Sequence, residues 1–298
     1  MKPYRLHCIL ASLLALVVLT GCWSDDKEPE PAADFGSTTG VVSYSGYAPL
    51  SSRPVKVHYY IPAKGDRATM PMLFVLPGQE RNAADYLASW RQAADRRHFM
   101  VFALEFPADA YSSSQYIEGG MFSGGSLVAP EKRTFAVIEP LFDYIRQCVG
   151  SRVDSYDLWG HSAGAQFVHR FVTFTPGIRV NRAVCANAGW YTLPDPGVTY
   201  PYGLKGSGSD DEATLRRLFA TELIVQLGTA DTGRDGLNTT AGAEAQGRNR
   251  FERGNFYFNT AEATASAHGI TLCWTRREVP GVGHDQARMA ADAATMMY

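Results

Sequence analysis

The sequence predicts an α/β fold with a mostly parallel central sheet and helices on both faces. Strand-like and helix-like segments alternate from about residue 41 onward, which is the pattern of βαβ units with parallel strands. The segment 72–76 is continuously apolar, and 223–227 is apolar except for Gln226, as strands covered on both faces are. The chain has 298 residues, enough for one sizeable core, so we expect a single domain over residues 41–298.

The individual elements follow from the spacing of the apolar residues. Two early segments are expected to pair as a hairpin at the start of the sheet. The first long helix is predicted because Tyr86, Leu87 and Trp90 fall on one helical face. In chain order, strands are predicted over residues 41–44, 55–61, 72–76, 100–106, 155–159, 183–188, 223–227 and 272–275, and helices over 83–98, 135–148, 165–172, 255–268 and 286–297.

The amino terminus has the pattern of an export signal. A basic start is followed by an apolar run over residues 8–18, too short to favour a membrane-spanning helix, and then by Leu19-Thr20-Gly21-Cys22. We predict a signal peptide over residues 1–21. The last four residues resemble the bacterial lipobox, which implies cleavage before Cys22 and its acylation. The alternative is an ordinary signal with an incidental cysteine.

Residues 22–40 are predicted to be a flexible tether. The segment is rich in acidic residues and proline and offers few side chains that a core would bury. The residue after Cys22 is not Asp, so the bacterial signal for retention in the inner membrane is missing. We therefore expect a protein of the cell envelope that a lipid anchors to the membrane, at the outer membrane and facing the periplasm or the surface.

Composition argues against several partners and chemistries. The chain carries 28 basic and 30 acidic side chains, a formal net charge of -2, so it has no basic field to attract a nucleic acid. Histidines, cysteines and carboxylates do not stand at metal-ligand spacing, and we expect neither a metal nor another cofactor.

Three cysteines follow the tether. An exported protein can form disulfides, but an odd number leaves at least one thiol unpaired. Cys185 and Cys273 lie in apolar, strand-like stretches, and Cys148 ends a predicted helix. We interpret them as core thiols, and the sequence leaves a pairing among them open.

One short motif predicts a catalytic site. In Gly160-His161-Ser162-Ala163-Gly164 an apolar strand runs into Gly-x-Ser-x-Gly and then into a helix. Such a serine lies at a strained turn, where the two glycines let the strand and helix backbones pass close together. We predict that Ser162 is a nucleophile. The N–H of Ala163, at the start of the helix, is the predicted donor to an oxyanion.

Two further residues stand where a serine nucleophile needs partners. Asp231 follows the strand 223–227, and His284 follows the strand-like exit at 279–283, so both lie at carboxyl ends of the sheet. We predict that His284 takes the serine proton and that Asp231 orients it, with Asp235 as the alternative acid. Taken singly, Asp231 would also suit a turn and His284 a loop before a helix cap.

A second oxyanion donor is expected from the loop after the third strand. Gly78 allows a tight backbone turn there, and the N–H of Gln79 is the predicted partner of the Ala163 N–H. His161, inside the motif, is expected to line the site without transferring a proton.

These residues resemble the α/β-hydrolase superfamily, whose triads run in the order serine, acid, histidine. More narrowly, Leu76-Pro77-Gly78 followed by Arg81-Asn82-Ala83-Ala84-Asp85-Tyr86, together with residues 160–164, is similar to secreted polyhydroxybutyrate depolymerases and feruloyl esterase-like enzymes. Many hydrolases have His-Gly where this chain has Pro77-Gly78. The resemblance covers nearly the whole domain and implies the α/β-hydrolase fold and hydrolysis of carboxylic esters through an acyl-serine, without a cofactor.

Loops after the strands offer candidate substrate contacts. Trp190 is predicted to flank an acyl or aromatic group, with packing of its loop against the body as the alternative. The glycine-rich and serine-rich segment 111–129 supplies candidate wall residues, namely Tyr116, Met121 and Phe122.

Three arginines follow the proposed acid loop, at positions 248, 250 and 253. We interpret them as a solvated face with local salt bridges, the alternative being a site for a substrate carboxylate.

The sequence thus predicts a lipid-anchored serine hydrolase that cleaves a small or polymeric carboxylic ester. A serine peptidase of the same fold is one alternative. A binding lipoprotein that keeps the hydrolase scaffold with an inactive site is the other.

Overall fold

The computed structural model describes residues 34–298, and one eight-stranded sheet organises them. Its strands are β1 (Thr39–Tyr44), β2 (Val55–Tyr60), β3 (Met72–Leu76), β4 (Met100–Glu105), β7 (Tyr156–His161), β8 (Val180–Ala186), β9 (Leu223–Gly228) and β10 (Thr275–Val279), while β5 (Phe122–Ser123) and β6 (Ser126–Leu127) form a separate small hairpin.

The strand order across the sheet is β1-β2-β4-β3-β7-β8-β9-β10. β1 and β2 pair antiparallel, as expected, and β2 is antiparallel to β4. Every later neighbour pair is parallel. The predicted fold, a mostly parallel sheet, is therefore confirmed, and the carboxyl ends of β3, β7, β8, β9 and β10 lie along one edge.

Helices cover both faces of the sheet. They are α1 (Ala83–Arg97), α2 (Ser113–Ile117), α3 (Ile138–Val149), α4 (Ala163–Phe174), α5 (Glu212–Ala220), α6 (Ala241–Glu244), α7 (Arg250–Ala267) and α8 (Gln286–Met297). Side chains of α1 and α8 pack in one buried cluster, and those of α3, α4, α5 and α7 pack in the other.

The central strand β3 shows why its sequence is apolar throughout. Leu73 and Val75 belong to the cluster under α1 and α8, whereas Met72, Phe74 and Leu76 belong to the cluster on the opposite face. A strand buried on both sides has no solvent-facing position, so the alternation of a surface strand disappears.

The packed part of the chain begins slightly before the predicted boundary at residue 41. β1 starts at Thr39, and the ring of Phe35 is buried 4.7 Å from the ring of Tyr59. The predicted signal peptide, the proposed lipidation site Cys22 and most of the predicted tether lie outside the described residues.

One predicted strand is wrong. Residues 272–274 are not in a strand, and the last strand of the sheet is Thr275–Val279. Trp274 is buried instead and donates from Nε1 to the carbonyl of Leu218 at 3.1 Å. β10 is an edge strand held by backbone pairing with β9, so its sequence needs little apolar character.

Some helices also differ from expectation. The helix α7 begins at Arg250, five residues before the predicted start, because Asn249 caps it by accepting from the N–H of Glu252 at 2.9 Å. The helix α5 and the short helices α2 and α6 are absent from the predicted elements.

The three cysteines are all free thiols, in different surroundings. Cys185 is buried in β8, as predicted for a core thiol, and Cys148 is partly buried. Cys273 is exposed, so its interpretation as a core thiol is wrong, for the same reason that its strand was misplaced.

Within residues 34–298, no helix is long and apolar enough to cross a membrane.

The helix α4 is buried along its whole length and contains a neutral histidine. His169 donates from Nδ1 to the carbonyl of Ala165 at 2.9 Å and accepts at Nε2 from the N–H of Thr192 at 3.1 Å. Burial lowers the pKa of His169 well below its ordinary value, and the nearby charge of Arg170 adds to the effect. A second proton on the ring would prevent Nε2 from accepting the hydrogen bond of the Thr192 N–H.

We therefore expect the free energy of unfolding to fall as the pH drops below 6.5. In that range His169 binds a proton in the unfolded chain but stays neutral in the folded protein. One such histidine contributes a slope of up to about 1.4 kcal/mol per pH unit. Urea unfolding at pH 7, 6 and 5 measures it. His169→Gln should be less stable at pH 7 and show a shallower slope, whereas exposed His268→Gln should keep the wild-type slope. Equal slopes in all three proteins would contradict the assignment.

Candidate active site

The strand-to-helix turn at Ser162 has the strained geometry that its motif predicts. β7 ends at His161 and α4 begins at Ala163, so Ser162 alone makes the turn, with φ 57° and ψ -115°. Positive φ is uncommon outside glycine and is unfavourable for a residue with a Cβ. The Ser162 N–H donates to the carbonyl of Ala186 at the end of β8, at 2.9 Å. That bond and the packing of α4 hold the turn.

The two glycines of the motif are required by close backbone contact. A Cβ at Gly160 would collide with the carbonyl of Gly164, and a Cβ at Gly164 would collide with the carbonyl of Leu76 at the end of β3. The helix α4 therefore lies directly against the strands β7 and β3, and no other residue type fits at either position.

Ser162, His284 and Asp231 form one hydrogen-bonded chain. Nε2 of His284 lies 3.0 Å from Oγ of Ser162, and Nδ1 of His284 lies 2.7 Å from Oδ2 of Asp231. Asp231 is only 2% exposed, whereas 32% of the His284 side chain is exposed. With the carboxylate accepting at Nδ1–H, the Nε2 lone pair faces the serine hydroxyl, as proton abstraction requires.

The loop that carries His284 is fixed where it joins α8. Asp285 caps α8 by accepting from the N–H groups of Ala287 and Arg288 at 3.0 and 3.1 Å. The alternative reading of this loop as a helix cap thus applies to Asp285, while its neighbour His284 points to the serine. Asp235, the alternative acid, is exposed, and it is Asp231 that bonds to His284.

Asn187 is a residue of the site that sequence reasoning missed. It is fully buried at the end of β8 with φ 49°. Its Oδ1 accepts from the N–H of Gly228 at 2.8 Å, and its Nδ2 donates to the carbonyl of Gly283 at 3.2 Å. One amide therefore ties the end of β9, just before Asp231, to the residue before His284. The only sequence signal was a polar residue at the end of an apolar strand.

The predicted oxyanion loop lies beside Ser162. A Cβ placed at Gly78 would be 3.7 Å from Cβ of Ser162, and the hydroxyl of Tyr116 donates to the carbonyl of Pro77 at 2.7 Å. Ala163 is the first residue of α4, and its N–H is one of those that a helix leaves unpaired at its start. The donor roles of Gln79 and Ala163 stay predictions.

His161 lies between His284 and Tyr86 and is neutral. Its Nδ1 lies 3.0 Å from the hydroxyl of Tyr86, and its ring centroid lies 4.5 Å from that of His284. Burial lowers the pKa of His161 well below its ordinary value, and the charges of His284 and Arg250 act in the same direction. Burial also raises the pKa of Tyr86 to about 12, so Tyr86 is neutral as well and shares a hydrogen bond with Nδ1 of His161.

The interpretation of the arginine cluster as a solvated face is wrong for two of its members. Arg253 is fully buried and donates to the carbonyls of Gly189 and Gly247 at 2.8 and 2.9 Å. Arg250 is also buried, and its Nη1 lies 3.6 Å from Oδ1 of Asp231. Only Arg248 is exposed. The early start of α7 turns the other two side chains inward.

The candidate substrate residues are mostly packed. Trp190 is 6% exposed, and its ring lies against the buried guanidinium of Arg170, 3.9 Å from the ring centroid. This placement favours the packing alternative, and a contact of Trp190 with substrate stays a prediction. Tyr116 and Met121 are fully buried, so they support the loops rather than line a wall.

Among residues 34–298, no cluster of histidine, cysteine, aspartate or glutamate is arranged to hold a metal ion. The side chains of the site offer the chemistry of a serine hydroxyl that is hydrogen-bonded to an imidazole, that of His284.

We expect Gly164→Ala to abolish the site, because its methyl group would force α4 away from β3. The variant should lose several kcal/mol of stability or fail to fold, in line with overpacked cores. Gly233→Ala is the matched control, since a Cβ there meets open space, and it should melt within about 2 °C of wild type. Circular dichroism melting measures both. A Gly164→Ala protein that melts like wild type would contradict the close contact.

Solved structures of the same architecture match over most of the chain. Poly(aspartic acid) hydrolase-1 from Sphingomonas sp. KT-1 is 37% identical, with a TM-score of 0.82 over 87% of this chain and 97% of that one. LpqC, a poly(3-hydroxybutyrate) depolymerase from Bordetella parapertussis, is 30% identical, with a TM-score of 0.83 over 87% of this chain and 89% of its own. An S-formylglutathione hydrolase from Agrobacterium tumefaciens, 16% identical, shares the fold with a TM-score of 0.58 over 89% and 95% of the two chains.

Neither models of protein families nor the curated proteins gave a match. The identity and coverage of the first two structures nevertheless show the family, and with it an enzyme of the serine hydrolase type. Both the resemblance and the fold that the sequence predicted are confirmed. The chain belongs to the α/β-hydrolase superfamily, in the group of polyhydroxybutyrate depolymerase-like and esterase-like serine hydrolases.

Proposed function

We propose that the protein is a carboxylic ester hydrolase that works through an acyl-serine intermediate on Ser162. One observation carries the proposal, namely the continuous chain of hydrogen bonds from Ser162 through His284 to Asp231, with donor–acceptor distances of 3.0 and 2.7 Å. A serine hydroxyl is a weak nucleophile at neutral pH unless such a base accepts its proton.

In the acylation step, Oγ of Ser162 attacks the carbonyl carbon of the ester while Nε2 of His284 takes the hydroxyl proton. The imidazolium is stabilised by the carboxylate of Asp231, which stays ionised. Collapse of the tetrahedral intermediate breaks the bond to the alcohol oxygen, which receives the proton from Nε2. A water molecule, deprotonated by the same nitrogen, then attacks the acyl-serine and releases the acid.

The developing negative charge on the carbonyl oxygen needs donors that are already in place. The N–H of Ala163 at the start of α4 is one, and the N–H of Gln79, in the loop next to Ser162, is the other. His161 stays a neutral neighbour because its burial disfavours a charge beside the imidazolium of His284. Only His284 therefore moves protons.

The substrate class is drawn from the two similar enzymes. One is called a depolymerase of poly(3-hydroxybutyrate), a polyester, and the other a hydrolase of poly(aspartic acid), a polyamide. Ser162 is partly exposed and His284 is open to solvent, an arrangement that a polymer segment can approach. We favour an ester bond, and the higher identity to the polyamide hydrolase makes amide cleavage the second candidate.

Labelling with a fluorophosphonate probe tests the nucleophile. Wild type should be labelled, and Ser162→Ala and His284→Ala should not, because the first lacks the attacking oxygen and the second lacks the base. Both should lower kcat on p-nitrophenyl esters by at least about 10⁴-fold. His268→Ala, an exposed histidine far along the chain, should label like wild type.

The same protein should then be given poly(3-hydroxybutyrate), poly(aspartic acid) and p-nitrophenyl esters of increasing acyl length. Release of soluble acid from the polyester or turnover of the short esters supports an esterase, and release from the polyamide alone supports the second candidate. A wild-type protein that is neither labelled nor active on any of them would make the inactive binding protein the better description.

We also propose that Cys22 is acylated and anchors the enzyme in the cell envelope, on the basis of the Leu19-Thr20-Gly21-Cys22 sequence. Full-length protein made in a bacterial host should incorporate an alkyne fatty acid and sediment with membranes. Cys22→Ala should lose both properties. Cys273→Ser, an exposed thiol, should keep both. A Cys22→Ala protein that still carries the label would contradict the assignment.

A further inference from the structure

A buried cation lies directly behind the carboxylate of the proposed triad. Arg250 is the first residue of α7, and 9% of its side chain is exposed. Its Nη1 lies 3.6 Å from Oδ1 of Asp231, and its Nη2 donates to the carbonyl of Asp235 at 3.0 Å. The side chain thus joins α7 to both ends of the turn that carries the acid.

The two oxygens of Asp231 have separate partners. Oδ2 accepts from His284, and Oδ1 faces Arg250. A carboxylate held at both oxygens cannot rotate about its Cβ–Cγ bond without losing one contact, so Arg250 fixes the plane in which Oδ2 meets the imidazole.

Placing a guanidinium here is unfavourable in itself. Burial lowers the pKa of Arg250, and the charge of Asp231 opposes that effect. Nε of Arg250 is buried and has no hydrogen-bond partner among residues 34–298. An apolar side chain of similar volume would often stabilise the fold as well or better at this position. We therefore look for the reason for the buried cation in the chemistry of the neighbouring residues.

We infer that Arg250 is a positioning residue of the reaction, which holds Asp231 in line with His284 and lets His284 act as a base at lower pH. The inference rests on the proposed function. The physical reason is that the positive charge offsets part of the charge of Asp231. It thereby makes the imidazolium of His284 less favourable than it would be beside an unpaired carboxylate.

The other groups around the triad do not supply this charge. His284 faces Asp231 and the neutral His161. Asp285, the N-cap of α8, accepts from the helix N–H groups, and Arg288 of α8 donates to the carbonyl of Gly281. Around Asp231 and Arg250, the further titratable groups are the neutral Tyr191 and His161, the Asp235 carboxylate and the guanidinium of Arg253. Arg253 pairs with Glu244 at 3.1 Å instead of with Asp231. Arg250 is the arginine that pairs with Asp231 in the described part of the chain.

The pH dependence of kcat/KM on a p-nitrophenyl ester tests the inference. Activity requires neutral His284, so it should rise with pH along an acid limb. In Arg250→Gln that limb should move upward by about one pH unit, because the charge of Asp231 is no longer offset. Arg250→Lys, which keeps the charge and loses the forked contact, should keep the wild-type limb with a lower kcat.

The matched control is Arg216→Gln, which removes an arginine that pairs with a carboxylate, Glu212, on the exposed face of α5. Its profile should overlay that of wild type. If kcat/KM of Arg250→Gln is lower than that of wild type by the same factor at every pH, and the acid limb does not move, the role of Arg250 is purely structural and the inference is overturned. If Arg250→Gln does not fold, Arg250→Lys decides alone, because a shifted limb in that variant overturns it. Failure of the proposed function is separate, since wild type would then neither label nor turn over ester.

Discussion

The contact between the start of α4 and the end of β3 is the constraint on which the site depends. Gly164 lies against the carbonyl of Leu76, and Gly160 lies against Gly164. Because the backbones touch, Ser162 must turn at positive φ. The strain is compensated by a helix that is buried along its whole length. The same contact sets the first N–H of α4 beside the serine and brings the loop at Gly78 next to it. Ser162 and the two predicted oxyanion donors thus share one packing interaction.

The other half of the site is held by buried polar groups rather than by close backbone contact. Asp231 and His284 stand on separate loops, and a parallel sheet only brings the ends of their strands to one edge. The amide of Asn187 joins the two loops, and Arg250 holds the far oxygen of Asp231. Each of these groups is buried, where a hydrogen bond is costly to leave unmade. The loops are therefore fixed more tightly than their exposure suggests.

The groups around His284 include few charges. His161 and Tyr86 are titratable groups that burial keeps neutral, so they add shape and hydrogen bonds without a net charge. One carboxylate and one guanidinium provide the charges behind the imidazole. Such an arrangement lets a single histidine gain and lose a proton while its neighbours keep theirs. It is also consistent with a hydrolase whose nucleophile is partly open to solvent and can meet a long substrate.

The sequence by itself determined the fold class and most elements, because apolar periodicity and glycine spacing are local signals. It also singled out Ser162, Asp231 and His284, which the structure joins by hydrogen bonds. It misplaced the last strand, since the edge strand β10 is held by backbone pairing that no side-chain pattern records. Only the tertiary structure decided the contacts of Asn187, Arg250 and Trp190. Whether an arginine after the acid loop faces water or Asp231 depends on where α7 begins and how it packs. Contacts between residues far apart in the chain leave no periodic trace, so their partners become known only when the chain is folded.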